Sequence, residues 1–303
     1  MASLINSGAI SKALMPGVRT WFGNMYNRFP EEYSKIFDIK KSVKNFEEDV
    51  NINGIGMGAV IPEGTGVSYD TMSQGGVKRY THVEYGRGFI VTRVQMEDNQ
   101  YPEVARAMSE SLGVGMKQLK ETVAANVLNR ANNSSYVGFD GIELTASNHL
   151  LTKGGTLSNE LATAAELSEA SLEQCLIDIG GFVDDTSMKM QAKGQCLIIP
   201  RQLEFEAQRI LKSELKNDTA ENATNVLKSG RYLPQGFLVN HYLTSATKFF
   251  VKTDVPKGLT HFERRGLEIK NDTDFDSENM KFKMTERYSF GWTDFRGIFG
   301  NGA

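Results

Sequence analysis

The stretch MKFKMTERYSFGW, residues 280–292, constrains the fold more than any other part of the chain. Met280, Phe282, Met284, Tyr288, Phe290 and Trp292 alternate with Lys281, Lys283, Thr285, Arg287 and Ser289, and only Glu286 interrupts the apolar set. Successive side chains of a strand point to opposite faces, so the pattern predicts one long strand with one buried side. Six large apolar side chains on a single face need a cover. The C-terminal region is therefore expected to be integral to the core.

Composition places that strand in a globular chain. The 303 residues are 40% hydrophobic, 23% charged and 10% aromatic, which excludes disordered and fibrous classes. A chain of this length buries roughly 75% of the surface that its unfolded form exposes. The formal net charge of -3, from 34 Lys+Arg against 37 Asp+Glu, gives no reason to expect a basic nucleic-acid groove. Cys175 and Cys196 lie in the apolar runs EQCLIDI and GQCLIIP, where a thiol behaves as a small buried hydrophobe. With no CxxC spacing and no disulfide framework, a reducing compartment is the default. The opening MASLINSGAISKALMPG has Lys12 inside a short apolar run and lacks the long apolar core of a signal peptide. No window approaches the roughly 20 apolar residues of a membrane span. The Asn-x-Ser/Thr triplets at Asn217, Asn222 and Asn271 are read as accidental.

Along the chain, the first 45 residues hold seven Lys/Arg against three acids, a net charge of +4. Trp21, Phe22, Tyr26, Phe29, Tyr33 and Phe37 are interleaved with those charges and suggest an amphipathic helix interrupted at Pro30. Such an aromatic stripe buries itself either on its own core or on a neighbouring chain. From Asn51 to Gly76 the chain holds seven glycines, one proline and no helical period, which reads as a long loop lying over a partner or forming a surface hairpin. VEYGRGFIV then reads as strand, with Val83, Tyr85, Phe89 and Val91 on one face and Arg87 interrupting it.

Asp98 to Ala131 predicts the longest helix, a rod of roughly 45 Å, capped by Asp98 or Asn99 with Pro102 in its first turn. Gly113 and Gly115 weaken it midway by about 1 kcal/mol each, which predicts a bend or the close approach of another backbone. A second helix is expected from about Ser168 to Ile179, stopped by Gly180-Gly181, followed by the strand QCLIIP and a helix marked by Leu203, Ala207, Ile210 and Leu211. GFLVN and KFFVK read as strands. The whole predicts a compact α+β arrangement.

Catalytic patterns are missing. Gly54-x-Gly56-x-Gly58 lacks the final spacing of a dinucleotide loop and leads into Val60-Ile61-Pro62 instead of a helix. Asp272-x-Asp274-x-Asp276 imitates the start of a calcium loop, but Ser277 and Lys283 stand where glycine and a carboxylate belong, so an acidic turn is expected. His82, His149, His241 and His261 have no His or Cys at ligand spacing and read as surface or hydrogen-bonded residues. No nucleophile elbow is present. The chain is expected to be no enzyme and to need no cofactor or metal. Contact of the basic aromatic N-terminus with nucleic acid is the weaker alternative to a solvated face.

The segments WFGNMYNRFPEEYSKIF, SYDTMSQGGVKRYTHVEYGRGFIVTR, KETVAANVLNRA and FERRGLEIKNDTDFDSENMKFKMTERYSFGWTDFRGIFG resemble the major capsid protein of tailed bacteriophages with the Hong Kong 97 fold, in particular the Mu-like major head subunit family. They span residues 21 to 300, nearly the whole chain. The resemblance implies an N-terminal arm over residues 1–50, an extended E-loop over 51–96, and a P-domain with a long spine helix over 97–165. It further implies a mixed α/β A-domain over 166–265 and a C-terminal strand returning to the P-domain over 266–303. Implied with it are hexamers and pentamers in an icosahedral shell around double-stranded DNA bound without sequence specificity. No membrane contact is implied. A separate scaffolding protein is expected because no long helical extension precedes the arm, and a portal and a decoration protein are further partners. The virion capsid, assembled in the cytoplasm of the bacterial host, is the expected location. Trp21, Phe22, Phe29, Phe37, Pro62 and Tyr69 are the expected assembly contacts. No Lys, Asn and Glu trio matches a cross-linking motif. An encapsulin-type nanocompartment shell is the runner-up on the same fold, and a small-molecule hydrolase is the rival from another class.

Overall fold

A computed structural model describes residues 26, 30–97, 101–152, 154–215 and 224–302. The predicted C-terminal strand is β11 (Met280–Trp292), and it lies inside a four-stranded sheet. It pairs antiparallel on one side with β10 (Leu259–Thr273) and on the other with β4 (Val83–Val91), while β1 (Asp38–Lys41) adds in parallel to the outer edge of β10. Cross-strand pairs fill the buried face: Tyr85 stacks on Tyr288 with ring centroids 4.7 Å apart, and Phe89 stacks on Phe282 at 4.9 Å. Such pairs are the unit of sheet stabilisation.

The cover for that face is α3 (Tyr101–Asn129), reached through the short α2 (Arg93–Glu97). Leu112 and Met116 of α3 pack on Met284, and further along Ala124 and Leu128 join Trp292, Leu259 and Phe250. Asp98 and Asn99, the expected caps, lie outside the described residues. The helix runs on through Gly113 and Gly115, and a Cβ built on Gly115 would meet nothing within 4 Å, so no backbone approaches there. Ahead of β1, α1 (Tyr33–Ile36) packs on the same core.

A second layer follows. β5 (His149–Leu150) and β6 (Thr156–Leu157) form a small ribbon, and then α4 (Glu169–Gly180) starts at Ser168, whose side chain and that of Ser171 cap one another's backbone amides. The second four-stranded sheet has the order β12 (Ile298–Gly300), β9, β7, β8, with β7 (Gly194–Pro200) parallel to β8 (Phe237–Asn240) and antiparallel to β9 (Phe250–Thr253). Alternation divides its two faces. Leu197, Ile199, Val251 and Phe299 meet α4, α5 (Glu204–Lys212) and α6 (Val226–Ser229), whereas Ile198, Phe250 and Ile298 face the C-terminal part of α3.

Three features differ from the sequence expectation. The glycine-rich region is bounded by strands of its own, β2 (Phe46–Asn53) and β3 (Ser73–Thr81), which pair antiparallel and leave residues 54–72 as the connecting loop. β10 carries no clean alternation because register shifts between Glu263 and Arg265 and between Arg265 and Glu268 switch the face its side chains point to. The last segment serves both sheets. β11 lies against α3, and β12 (Ile298–Gly300) pairs with β9 in the other sheet. β10 itself is continuous from Leu259 to Thr273.

The closeness of β4 to β11 depends on glycine at two points: a Cβ on Gly88 would run into the Phe282 carbonyl oxygen, and one on Gly86 would sit 2.9 Å from that of Met284. Gly88→Ala should destabilise the unassembled subunit by about 2 kcal/mol, because two backbones must separate. Gly54→Ala, where nothing lies within 4 Å, should leave the urea midpoint in place. Equal midpoints for the two variants would contradict this packing.

Candidate assembly surfaces

Residues 54–72 contain no Lys or Arg, two acids and many apolar side chains. Ile55, Met57, Val60, Ile61, Val67, Tyr69 and Met72 are all exposed, Val60 and Tyr69 by 94% and 95%. Pro62 turns the chain at the loop's end, where the backbone N–H of Thr65 donates to the Pro62 carbonyl at 3.1 Å. A glycine-rich strip of this kind cannot build a core of its own, and its apolar side chains find none on the subunit. Its root is firm. Lys257 pairs with Asp49 at 2.7 Å, Asn51 donates to Asp185 at 2.6 Å, and the Lys78 ammonium donates to the Val137 carbonyl at 2.5 Å while lying over the Trp292 ring. Pro62 and Tyr69 thus share one projecting loop held at its base.

The expected anchors of the N-terminal segment separate into two groups. Trp21, Phe22 and Phe29 lie outside the described residues. Phe37, expected to contact a neighbour, is 2% exposed within its own chain, edge-on to Phe290 with centroids 5.0 Å apart. It is a core residue. The reason is local: the backbone amides of Glu32 and Tyr33 both donate to the Glu121 carboxylate at 3.0 Å, Lys117 reaches Glu31 at 2.7 Å, and His241 reaches Glu32 at 2.6 Å. These contacts tie residues 31–33 to α3 and to the turn after β8. The choice between own core and neighbour is settled for Phe37 by those polar ties, which periodicity does not reveal.

Glu286, the one break in the apolar row of β11, faces Lys120 of α3. Their charged atoms are 3.5 Å apart, with the two side chains 1% and 7% exposed. The Lys120 ammonium also lies over the rings of Tyr33 and Tyr288, at 5.2 and 5.1 Å. Burial pushes the Glu286 carboxyl above its ordinary range, and Lys120 pulls it partly back. Around the pair, Glu286 Oε1, the Tyr288 hydroxyl and both ring nitrogens of His261 have no hydrogen-bond partner among the described residues. His261 was expected on the surface or hydrogen-bonded. It is instead fully buried and stacked on Phe290 at 4.3 Å, because the β10 register turns it into the core. His82 and His149 are buried with partners, and His241 is exposed with Glu32 as its partner.

Both cysteines are buried and free, with thiols pushed up to about 12 at Cys175 and about 11 at Cys196 by burial. The three aspartates of the expected acidic turn end β10 and begin the turn into β11, where Lys281 pairs with Asp274 at 3.1 Å. Among the described residues no group of three His, Cys, Asp or Glu side chains is placed to hold a metal, and no helix is long and apolar enough to cross a membrane. The sequence reading missed Phe275, which is 95% exposed at the tip of the β10–β11 hairpin. An aromatic residue flanked by Asp274 and Asp276 was the available signal.

A family model described as phage capsid protein matches residues 76–301. Among solved structures, the capsid of a native GTA particle superposes with a TM-score of 0.55 at 12% identity, covering 89% of this chain and 89% of that one. The virus-like particle from Pyrococcus furiosus superposes with a TM-score of 0.54 at 12% identity, over 94% of this chain and 97% of the other. Mycobacterium phage Patience gives 0.54 at 11% identity, over 98% and 88%. At these identities the likeness is one of fold. No curated protein sequence matches the chain.

The buried His261 sets a pH dependence. Burial, and secondarily Lys120, lowers its pKa from 6.5 to about 3, so the unfolded chain takes up a proton that the folded chain refuses. Stability from this group is complete above pH 6.5 and falls as pH drops toward 3, by up to about 1.4 kcal/mol per pH unit. His261→Phe should reduce the slope of urea-unfolding stability between pH 6 and pH 4 by close to one proton. An unchanged slope would mean that His261 protonates freely in the folded subunit.

Proposed function

The chain belongs to the phage capsid protein family, and from that premise we propose that it is the head subunit arranged as hexamers and pentamers in an icosahedral shell around double-stranded DNA. It is a structural protein of a capsid shell with the Hong Kong 97 fold, and it works as many copies. The Mu-like branch, assembly in the host cytoplasm, a separate scaffolding protein, a portal and a decoration protein complete the proposal. So does the absence of catalytic activity. On the same reading residues 1–50 are the arm, 51–96 the E-loop, 97–165 and 266–303 the P-domain, and 166–265 the A-domain. The nanocompartment alternative has weaker support, since the matching family is one of phage capsid proteins.

The observation that carries the assembly reading is the loop at 54–72. A monomer gains nothing by projecting seven apolar side chains into water, whereas a closed shell repeats each contact in every copy. Laid over a neighbour, Pro62 and Tyr69 become buried there, as do Trp21, Phe22 and Phe29 of the arm. The glycine-rich backbone of the loop suits slightly different five-fold and six-fold surroundings.

Replacing residues 54–72 by a short Gly/Ser turn should shift the unassembled subunit's stability by less than about 0.5 kcal/mol, while particles seen by electron microscopy disappear. A shortened chain that fails to fold, or one that still closes into shells, would remove the loop from the assembly reading. Tyr69→Ala is the milder form of the test and should lower particle yield with the thermal midpoint unchanged.

A further inference from the structure

We infer that the tip of the β10–β11 hairpin, Phe275 with its flanking aspartates, inserts into a cationic aromatic cleft at the other end of β11 in a second copy of this chain. The inference rests on the shell reading and names one of its contacts. The tip carries Asp272, Asp274, Asp276 and Glu278 around Phe275. Lys281 pairs with Asp274 and Arg93 with Glu278, so two of the four negative charges are matched, and among the described residues Asp272 and Asp276 have no ion-pair partner. An aromatic ring 95% exposed beside carboxylates that are only half compensated is stabilised by an apolar pocket rimmed with cations.

Such a pocket exists. A cleft of about 290 Å³ opens between β3, the C-terminal half of α3 and the end of β11, and no carboxylate lines it. Val127, Tyr136 and Trp292 supply apolar walls, and Lys78, Arg79 and Arg130 supply three cations. Arg79 is held by Glu48 at 2.7 Å, and Lys78 lies over Trp292. The Arg130 guanidinium stacks on Tyr136 at 4.5 Å. Among the described residues no carboxylate lies within ion-pair distance of it. The cleft offers what the tip lacks.

One subunit cannot make this contact with itself. The tip adjoins Met280 and the cleft adjoins Trp292, the two ends of β11. Thirteen extended residues separate them by about 40 Å. Complementary patches at opposite ends of one rigid strand give a head-to-tail contact, the kind that closes into rings and shells when the rotation permits.

The test is site-directed cross-linking in particles of the full chain. Asp276→Cys combined with Val137→Cys, at the cleft rim, should give a ladder of chain multimers with a short bis-maleimide, and neither single variant should. Cys175 and Cys196 are buried and stay silent. Particles that form without a ladder overturn the contact, and so does a ladder joining position 276 to a different polypeptide. Should the double variant not assemble, Asp276→Cys alone decides: its thiol should label about tenfold more slowly in particles than in free subunits if the tip is buried, and equal rates overturn the inference. Wild-type chain that forms no particles even when co-expressed with its scaffolding protein would defeat the shell reading itself, and this contact with it.

Discussion

The structure depends on the burial of one face of β11. Met280, Phe282, Met284, Tyr288 and Trp292 are each at most 7% exposed, in the middle of a sheet whose strands lie on both sides of them. A strand so placed must be roofed along its whole length, and the 29-residue α3 is the only described helix long enough to do it. The Lys120–Glu286 pair then sets which turn of α3 faces which residue of β11. Leaving either partner alone in the interior would cost several kcal/mol, so the pair specifies register more than it adds stability.

What that core leaves over is used outward. The sheet and α3 take the apolar side chains of β4, β10 and β11, and the second sheet takes those of α4 and α5. The loop at 54–72 and the tip at Phe275 find no place in either, and both extend from strands that are firmly paired at their base. Rigid stems with apolar ends suit a protein whose final contacts lie on other copies of itself.

Much of this was legible in sequence, for a physical reason in each instance. β11 shows through its period of two, α3 through its three-to-four spacing, and β7 and α4 through short apolar runs bounded by Pro200 and Gly180-Gly181. β10 was hidden by bulges, which reverse the alternation partway. β3 was hidden by Gly75 and Gly76, since glycine has no side chain to show a face. Phe37 was assigned outward because its spacing matches that of Trp21 and Phe22, and the polar ties at Glu121 that draw it inward are 84 residues away in sequence. Pro62 and Tyr69 were read as assembly contacts because nothing in their sequence surroundings asks for burial within the chain.

Hydrogen exchange of the full chain, before and after assembly, tests the central division between a self-sufficient core and outward loops most directly. The amides of residues 280–292 should already be slow in the unassembled subunit, while those of residues 54–72 should exchange freely and slow only in particles. Fast exchange of residues 280–292 in the free subunit, with protection gained only on assembly, would contradict it, because β11 would then owe its order to neighbouring copies and not to α3.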